Sequence, residues 1–300
     1  MNMHWSTYCA AAQGLHTVGD LWRYGHSRFA AAGLDCSQGY QNPRDEAAVL
    51  VARTLSLEPE DLGNCLPARL TASEVEKVLR AFYQREILRR PAAYVLGEAW
   101  FAGKRFAVDE RVLIPRSLLE PFIEEGFSPW VDIGRISRIL EIGTGSGCMA
   151  VALASRFPGA VVDAVDISSD ALALAAENIR RHGLEDRVHL LQSDLFSALS
   201  GQKYDLLVSN PPYVDADAMA DLPPEYRHEP RLALAAGEDG LSCLLPLLDQ
   251  APAHLEPHGV MVVETGDAER ALMDRFPDLP LVWLDHPAGG SGVFVYLGEG

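Results

Sequence analysis

The chain has no paired cysteines, no surplus of basic residues and no long apolar run, and each absence removes a class of protein. Its five cysteines (Cys9, Cys36, Cys65, Cys148 and Cys243) are odd in number and scattered, with no Cys-x-x-Cys pair. That argues against a disulfide framework and a zinc site and suits a reducing compartment, so no metal is expected. Only 25 lysines and arginines stand against 42 aspartates and glutamates, a net charge of −17. Such a field repels nucleic acid phosphates and anionic membrane surfaces, so neither direct nucleic-acid specificity nor membrane association is expected. A basic protein partner is compatible with it, although an acidic surface also serves plain solubility. No uncharged apolar stretch reaches the roughly 20 residues of a membrane span. Residues 1–12 lack a basic run followed by a long apolar one, so no secretory signal is apparent and a cytoplasmic protein is expected. There is no internal repeat and no low-complexity tract.

What is present is the profile of a folded globular chain, 48% hydrophobic and 22% charged, and its 300 residues suit two domains. Residues 1–97 read as helices. From Thr17, the residues Val18, Leu21, Trp22, Tyr24 and Phe29 recur at helical spacing as far as Gly33. A second helix is expected after Pro43, with Asp45 and Glu46 in its first turn. Thr71-Ala72-Ser73-Glu74 is a capping box, and Val75, Val78, Leu79, Phe82 and Ile87 follow it as an apolar face before Pro91 ends the helix. Residues 98–114 change character: a run rich in aromatic and β-branched residues, turning near Gly103, reads as a hairpin linker. In residues 115–300, strands at 139–142, 160–165, 188–192, 205–209, 260–264, 281–284 and 293–297 alternate with helices at 148–157, 169–182, 241–254 and 268–276. Such alternation implies an α/β domain with a largely parallel sheet, whose ligands bind beyond the C-terminal strand ends.

The informative residues are therefore those at strand ends. After the first strand stands Glu141-Ile142-Gly143-Thr144-Gly145-Ser146-Gly147, where glycines allow a tight turn and close approach to a ligand. Alone this loop is weak: it satisfies a dinucleotide fingerprint from Gly145, and a plain strand-to-helix turn also fits. Asp166 ends the second strand, where a carboxylate can accept from both ribose hydroxyls of NAD or of S-adenosylmethionine. Asp194 ends the third and can accept from an adenine amine, with Leu195 or Phe196 against the ring. Together the two shape an adenosine pocket.

The fourth strand ends in Ser209-Asn210-Pro211-Pro212-Tyr213, the most specific segment in the chain. It suits methylation of a planar nitrogen, a poor nucleophile because its lone pair is delocalised. The Asn210 side-chain oxygen and the Pro211 carbonyl can each accept one N–H, the two prolines stiffen the turn, and Tyr213 can stack on the planar group. An ordinary Asn-Pro turn is the plainer alternative.

These motifs resemble a class I S-adenosylmethionine-dependent methyltransferase. From about Thr17 onward the chain is similar to the protein-(glutamine-N(5)) methyltransferases, through Arg90–Gly97, Val112–Arg116, and Glu229-Pro230-x-Leu232-Ala233-Leu234 with Gly237 and Gly240-Leu241. The resemblance implies a seven-stranded, mostly parallel Rossmann-like sheet behind a helical substrate-recognition domain. It implies S-adenosylmethionine as donor and S-adenosylhomocysteine as product. Glu141, Gly143, Thr144, Gly145, Ser146, Gly147, Asp166, Ile167, Asp194, Leu195, Asn210 and Phe101 would bind the cofactor, with Glu141 near its amine and Phe101 over its methionine end. Asn210, Pro211, Pro212 and Tyr213 would perform the transfer, and Arg116 would contact substrate or close a loop. Two branches differ after the Pro-Arg pair. Ser117, with Ala99-Trp100-Phe101 and Glu225–Pro230, resembles the branch that modifies the third large-subunit ribosomal protein; Leu118 replaces the proline usual there. Release factors, a nucleic-acid amino group and an NAD-dependent oxidation remain as alternatives.

Overall fold

The computed structural model describes residues 4–287 and 289–298. The chain divides into two compact units: Met1–Glu98 with Pro223–His228, and Ala99–Leu222 with Glu229–Gly300.

The first unit is built on helices Val18–Ala31, Pro43–Thr54 and Ala72–Glu86, joined by shorter ones at Trp5–Ala11 and Ala92–Leu96. Local chemistry sets their starts. Thr17 and Asp20 form a capping box that was not expected from sequence, Asn42 accepts from the Arg44 and Asp45 amides, and Thr71 pairs with Glu74 as expected. The third helix stops at Glu86 and not at Pro91, because Arg89 takes a left-handed backbone angle of φ 58°. Leu21, Phe29, Leu50, Val51, Val78 and Phe82 fill the core. Gly25 is needed there, since a Cβ would lie 2.5 Å from the Phe82 ring.

In the second unit, β1 (Glu98–Phe101) and β2 (Lys104–Ala107) form the expected hairpin, with Ala102 and Gly103 both at positive φ, 46° and 67°. The sheet comprises β3 (Arg138–Ile142), β4 (Val161–Asp166), β5 (Val188–Gln192), β6 (Tyr204–Ser209), β7 (Leu255–Glu264), β8 (Leu281–Trp283) and β9 (Val293–Leu297). Its order is β5-β4-β3-β6-β7-β9-β8; β3 to β7 pair in parallel, and β9 runs antiparallel to both neighbours. Side-chain alternation splits the strands between two cores. Ile139, Val162, Leu206, Val208, Val260 and Val262 face one helical layer, and Leu140, Val165, Leu207, Met261 and Val263 face the other. This is the seven-stranded, mostly parallel sheet with a preceding helical region that the motifs implied. β7 begins at Leu255, earlier than expected, because it pairs with Tyr204 across an irregularity that accommodates Pro257 and Gly259.

Candidate active site

The register of the parallel strands assembles the site. Ile142 pairs with Val165 on one side and Ser209 on the other, and Asp166 pairs with Gln192. The residues that follow each strand therefore emerge along one edge. A cavity of about 200 Å³ lies there, far larger than the roughly 10–15 Å³ one water needs. Of the expected residues, Gly143, Gly145, Asp166, Ile167, Asp194, Leu195, Asn210, Pro211 and Pro212 line it. Two further strips line it although no role was expected of them: Arg111, Val112 and Leu113, and Pro230, Leu232 and Ala233. Both lie at or beside segments that carry the family resemblance, so the signal was present but had no chemical argument attached to it.

On the adenosine side, Gly143, Gly145 and Gly147 all take positive φ, from 53° to 79°. The Gly143 and Thr144 amides donate to the Val165 carbonyl, locking the loop to β4. Asp166 accepts from the Gly145 and Ser168 amides, at 2.9 Å each. Burial raises its pKa, and those amides oppose the rise. A carboxylate offers about four acceptor positions, so two remain for a diol. Glu141 is fully buried; its Oε2 accepts from Thr144 Oγ1 at 2.7 Å, and its Oε1 has no hydrogen-bond partner among the described residues. Burial pushes the Glu141 carboxyl up to about 8, with the Thr144 hydroxyl opposing and Asp166 adding to the rise. An orphaned buried oxygen beside a glycine-lined cavity fits a ligand bearing a cationic amine.

Five expected cofactor residues do not line the cavity: Glu141, which is fully buried beneath the loop, and four others. Thr144 turns its hydroxyl to Glu141; the buried Ser146 offers its carbonyl to Asn178 Nδ2; and Gly147 caps helix Cys148–Arg156 against Ala175. Phe101 is 2% exposed and packed in the hydrophobic core. Phe196, the alternative to Leu195 against the adenine, is also buried and stacks on His254.

On the acceptor side, Asn210 follows β6 directly opposite the glycine loop. A Cβ on Gly143 would stand 3.8 Å from the Asn210 carbonyl oxygen. Neither the Asn210 side chain nor the Pro211 carbonyl is hydrogen-bonded to another protein group among the described residues, so both are available to a ligand. Val214 fixes the far end of the turn through amide and carbonyl bonds to Leu234 and Ala236. Tyr213 comes just before Val214 in the same segment. Its ring lies against Gly266, and its hydroxyl donates to Glu264 at 3.1 Å; it is not among the cavity-lining residues. Arg116 likewise does not line the cavity. It binds the buried Glu229 through both terminal nitrogens, at 2.6 and 2.7 Å, so loop closure is the role its geometry supports.

Two histidines, His254 and His258, stand at a ligand-like spacing, but helix Leu244–His254 ends where β7 begins, so they do not share a helix face. Among the described residues no three His, Cys, Asp or Glu are arranged to hold a metal, and no helix is long and apolar enough to cross a membrane.

A protein of Xanthomonas campestris pv. campestris named ribosomal protein uL3 glutamine methyltransferase is 49% identical to this chain over 287 residues, covering 95% of the chain and 92% of that protein. Proteins of the same name from Bordetella pertussis and Francisella tularensis subsp. tularensis are 48% and 43% identical over 96% and 94% of the chain, and 97% and 90% of their own lengths. The chain belongs to this glutamine methyltransferase family. The motif resemblance, down to its ribosomal branch, is thereby borne out. Residues 131–222, which hold the glycine loop, Asp166, Asp194 and Asn210–Tyr213, match the methyltransferase small domain. Among solved structures, the catalytic domain of hMettl16 in complex with MAT2A 3'UTR hairpin 1 is similar in fold, with a TM-score of 0.50 at 18% identity over 76% of this chain and 81% of that one. Membership of the family makes the chain an enzyme that transfers methyl groups and removes the dinucleotide alternative, which left Asn210–Tyr213 without a role.

Proposed function

We propose that this chain transfers the methyl group of S-adenosylmethionine to the side-chain amide nitrogen of a glutamine in ribosomal protein uL3. The observation that carries the proposal is the turn after β6: two uncommitted oxygen acceptors, on Asn210 and Pro211, line the same cavity as the glycine loop, Asp166 and Asp194. When bound, the cofactor supplies an electrophilic methyl on a sulfonium. Asn210 and Pro211 hold the two carboxamide hydrogens, which fixes the nitrogen and directs its electron density towards the methyl. Pro211 and Pro212 keep those acceptors in place before the substrate arrives. As the new N–C bond forms and the S–C bond breaks, the nitrogen becomes acidic and its proton leaves to water, so no strong base is required. Asp166 receives the ribose hydroxyls, Asp194 the adenine amine, and Glu141 the cofactor's amine. The helical unit serves substrate recognition, and the net charge of −17 suits a basic substrate. The reading implies action in the cytoplasm, where ribosomal proteins are made.

The test is methyl transfer from labelled S-adenosylmethionine to purified uL3, release factor and RNA in parallel. One added CH2 on a single uL3 glutamine is expected. Asn210→Ala should lower the rate by about 10²–10³, the cost of losing one oriented hydrogen-bonding group at a reacting centre. Label on release factor alone, or on RNA, would overturn the proposal.

A further inference from the structure

Glu264 ends β7, beside β6 and the turn that follows it. It is 2% exposed and accepts three hydrogen bonds from two segments. Its Oε2 accepts from Ser117 Oγ and from the Leu118 amide at 2.9 Å, and its Oε1 from the Tyr213 hydroxyl at 3.1 Å. Tyr213 continues the cavity-lining stretch Asn210, Pro211 and Pro212. Ser117 ends the stretch that begins with the lining residues Arg111, Val112 and Leu113.

Little else leaves Tyr213 free to move. A Cβ on Gly266 would stand 2.5 Å from its ring, and one on Gly240 would stand 2.6 Å from its carbonyl oxygen. The two glycines make room for the backbone and ring, and Glu264 fixes the remaining end. On the facing segment, the Ile114 amide and the Arg116 guanidinium bind Glu229, which precedes the lining residue Pro230. Glu229 thus joins two of the strips around the cavity, and Glu264 joins one of them to the third. A buried carboxylate is not the economical way to stabilise a core, since apolar residues in such places are often as stable or more so. Burial also raises the pKa of Glu264, opposed by the Ser117, Tyr213 and Leu118 donors. What it supplies is direction: three donors held at defined positions.

We infer that Glu264 is a positioning residue for the transfer. By tying the Tyr213 hydroxyl to Ser117 and Leu118, it holds the Asn210 and Pro211 acceptors at a fixed distance from the facing wall of the cavity. The inference rests on the function proposed above. Productive placement of a reacting group tolerates roughly 0.5 Å, and misplacement by about 1 Å can cost 10²-fold. Loss of the tie therefore strikes kcat while leaving the adenosine contacts of Asp166 and Asp194 untouched.

The experiment is steady-state methylation of uL3 by the full chain and its variants Glu264→Ala, Glu264→Gln, Tyr213→Phe and the Glu264→Ala/Tyr213→Phe double, with S-adenosylhomocysteine binding measured on each. Glu264→Ala should lower kcat by about 10–10²-fold while the dissociation constant for S-adenosylhomocysteine changes by no more than about twofold. Glu264→Gln, which still offers an acceptor to the Leu118 amide and a partner to Tyr213, should recover most of the rate. The double variant should be no slower than Glu264→Ala, because both changes remove the same tie. If Glu264→Ala does not fold, Tyr213→Phe combined with Ser117→Ala removes two of the three donors and should show the same selective fall in kcat. An unchanged kcat, a fall matched by lost S-adenosylhomocysteine binding, or additive effects would overturn the inference. An active wild type with indifferent Glu264 variants defeats this inference alone; an inactive wild type defeats it together with the proposed function.

Discussion

The Glu141 carboxyl, next in sequence to the cavity-lining Ile142, is pushed from its ordinary 4.5 up to about 8 chiefly by burial. An acid whose folded pKa is raised binds a proton in the fold that the unfolded chain has already lost. Its contribution to stability therefore falls as pH rises from about 4.5 towards 8 and stays low above it. Urea midpoints compared at about pH 5 and about pH 9 should show the wild type losing ground relative to Glu141→Gln, which has no proton to lose. A cationic amine next to Glu141 would stabilise the ionised form. Binding of S-adenosylhomocysteine near pH 7 should then release close to one proton, seen calorimetrically as heats that vary with the ionisation enthalpy of the buffer. Buffer-independent heats would remove Glu141 from cofactor binding. At this scale, Asp166, Asp194 and Asn210 were legible because each follows a recognisable apolar strand, and position at a strand end is a statement about the backbone. Where the side chains of Tyr213, Phe101 and Arg116 point was not legible, because the direction of a side chain depends on neighbours distant in sequence: Glu264 and Gly266, a hydrophobic core, and Glu229. Glu264 satisfies the same strand-end rule as Asp166, yet its partners are protein groups from distant segments, which no local pattern displays.

At the scale of elements, the loops after β3 and β7 are both shaped by glycines, for different reasons. Gly266 sits at φ 47° with a notional Cβ 2.5 Å from the Tyr213 ring, so Gly266→Ala must displace that ring. A stability loss of about 1–3 kcal/mol from overpacking is expected in denaturant titration, together with slower methyl transfer and little change in S-adenosylhomocysteine affinity. Gly145, at φ 53°, has nothing within 4 Å of its notional Cβ, because that direction is open space. Gly145→Ala should cost only the left-handed strain, about 1 kcal/mol, and should instead weaken S-adenosylhomocysteine binding. Equal effects of both substitutions on ligand affinity would contradict this division. The strands themselves were readable within a residue or so, except where β7 starts early, because burial against a core on each face demands a continuous apolar run that a solvated loop would not carry. Short elements such as helix Glu120–Glu125, with proline in its first turn, carry no periodicity to read. Helix Leu244–His254 starts later than its apolar pattern because residues 241–243 are turn, with the Leu241 amide on Asp239.

At the scale of the molecule, the charge of −17 predicts that recognition of a basic protein is salt-dependent while cofactor binding is not. Raising ionic strength should increase KM for uL3 and leave the S-adenosylhomocysteine dissociation constant nearly constant; the opposite pattern would detach the acidic surface from substrate binding. The division of the chain is subtler than its composition suggests, because Pro223–His228 groups with the helical unit although it lies within the sequence of the other. Nothing local announces this. The tie is Glu225, wholly buried, which pairs with Arg85 and Arg89 at 3.0 Å each, while Arg85 also pairs with buried Glu46. Arg85 is 1% exposed, so its charge is tolerated only because two carboxylates meet it. Removing one partner from a buried ion pair leaves the other desolvated and uncompensated, at a cost of about 3–5 kcal/mol. Glu225→Ala should therefore reduce amide-exchange protection in helices Pro43–Thr54 and Ala72–Glu86, which carry Glu46 and Arg85, while β3 to β7 keep theirs. Glu225→Gln should fall between, since it retains an acceptor for Arg85 but not the charge. Unchanged protection in those helices would mean that Glu46 alone suffices for Arg85, and that Pro223–His228 belongs to the helical unit by proximity without energetic consequence.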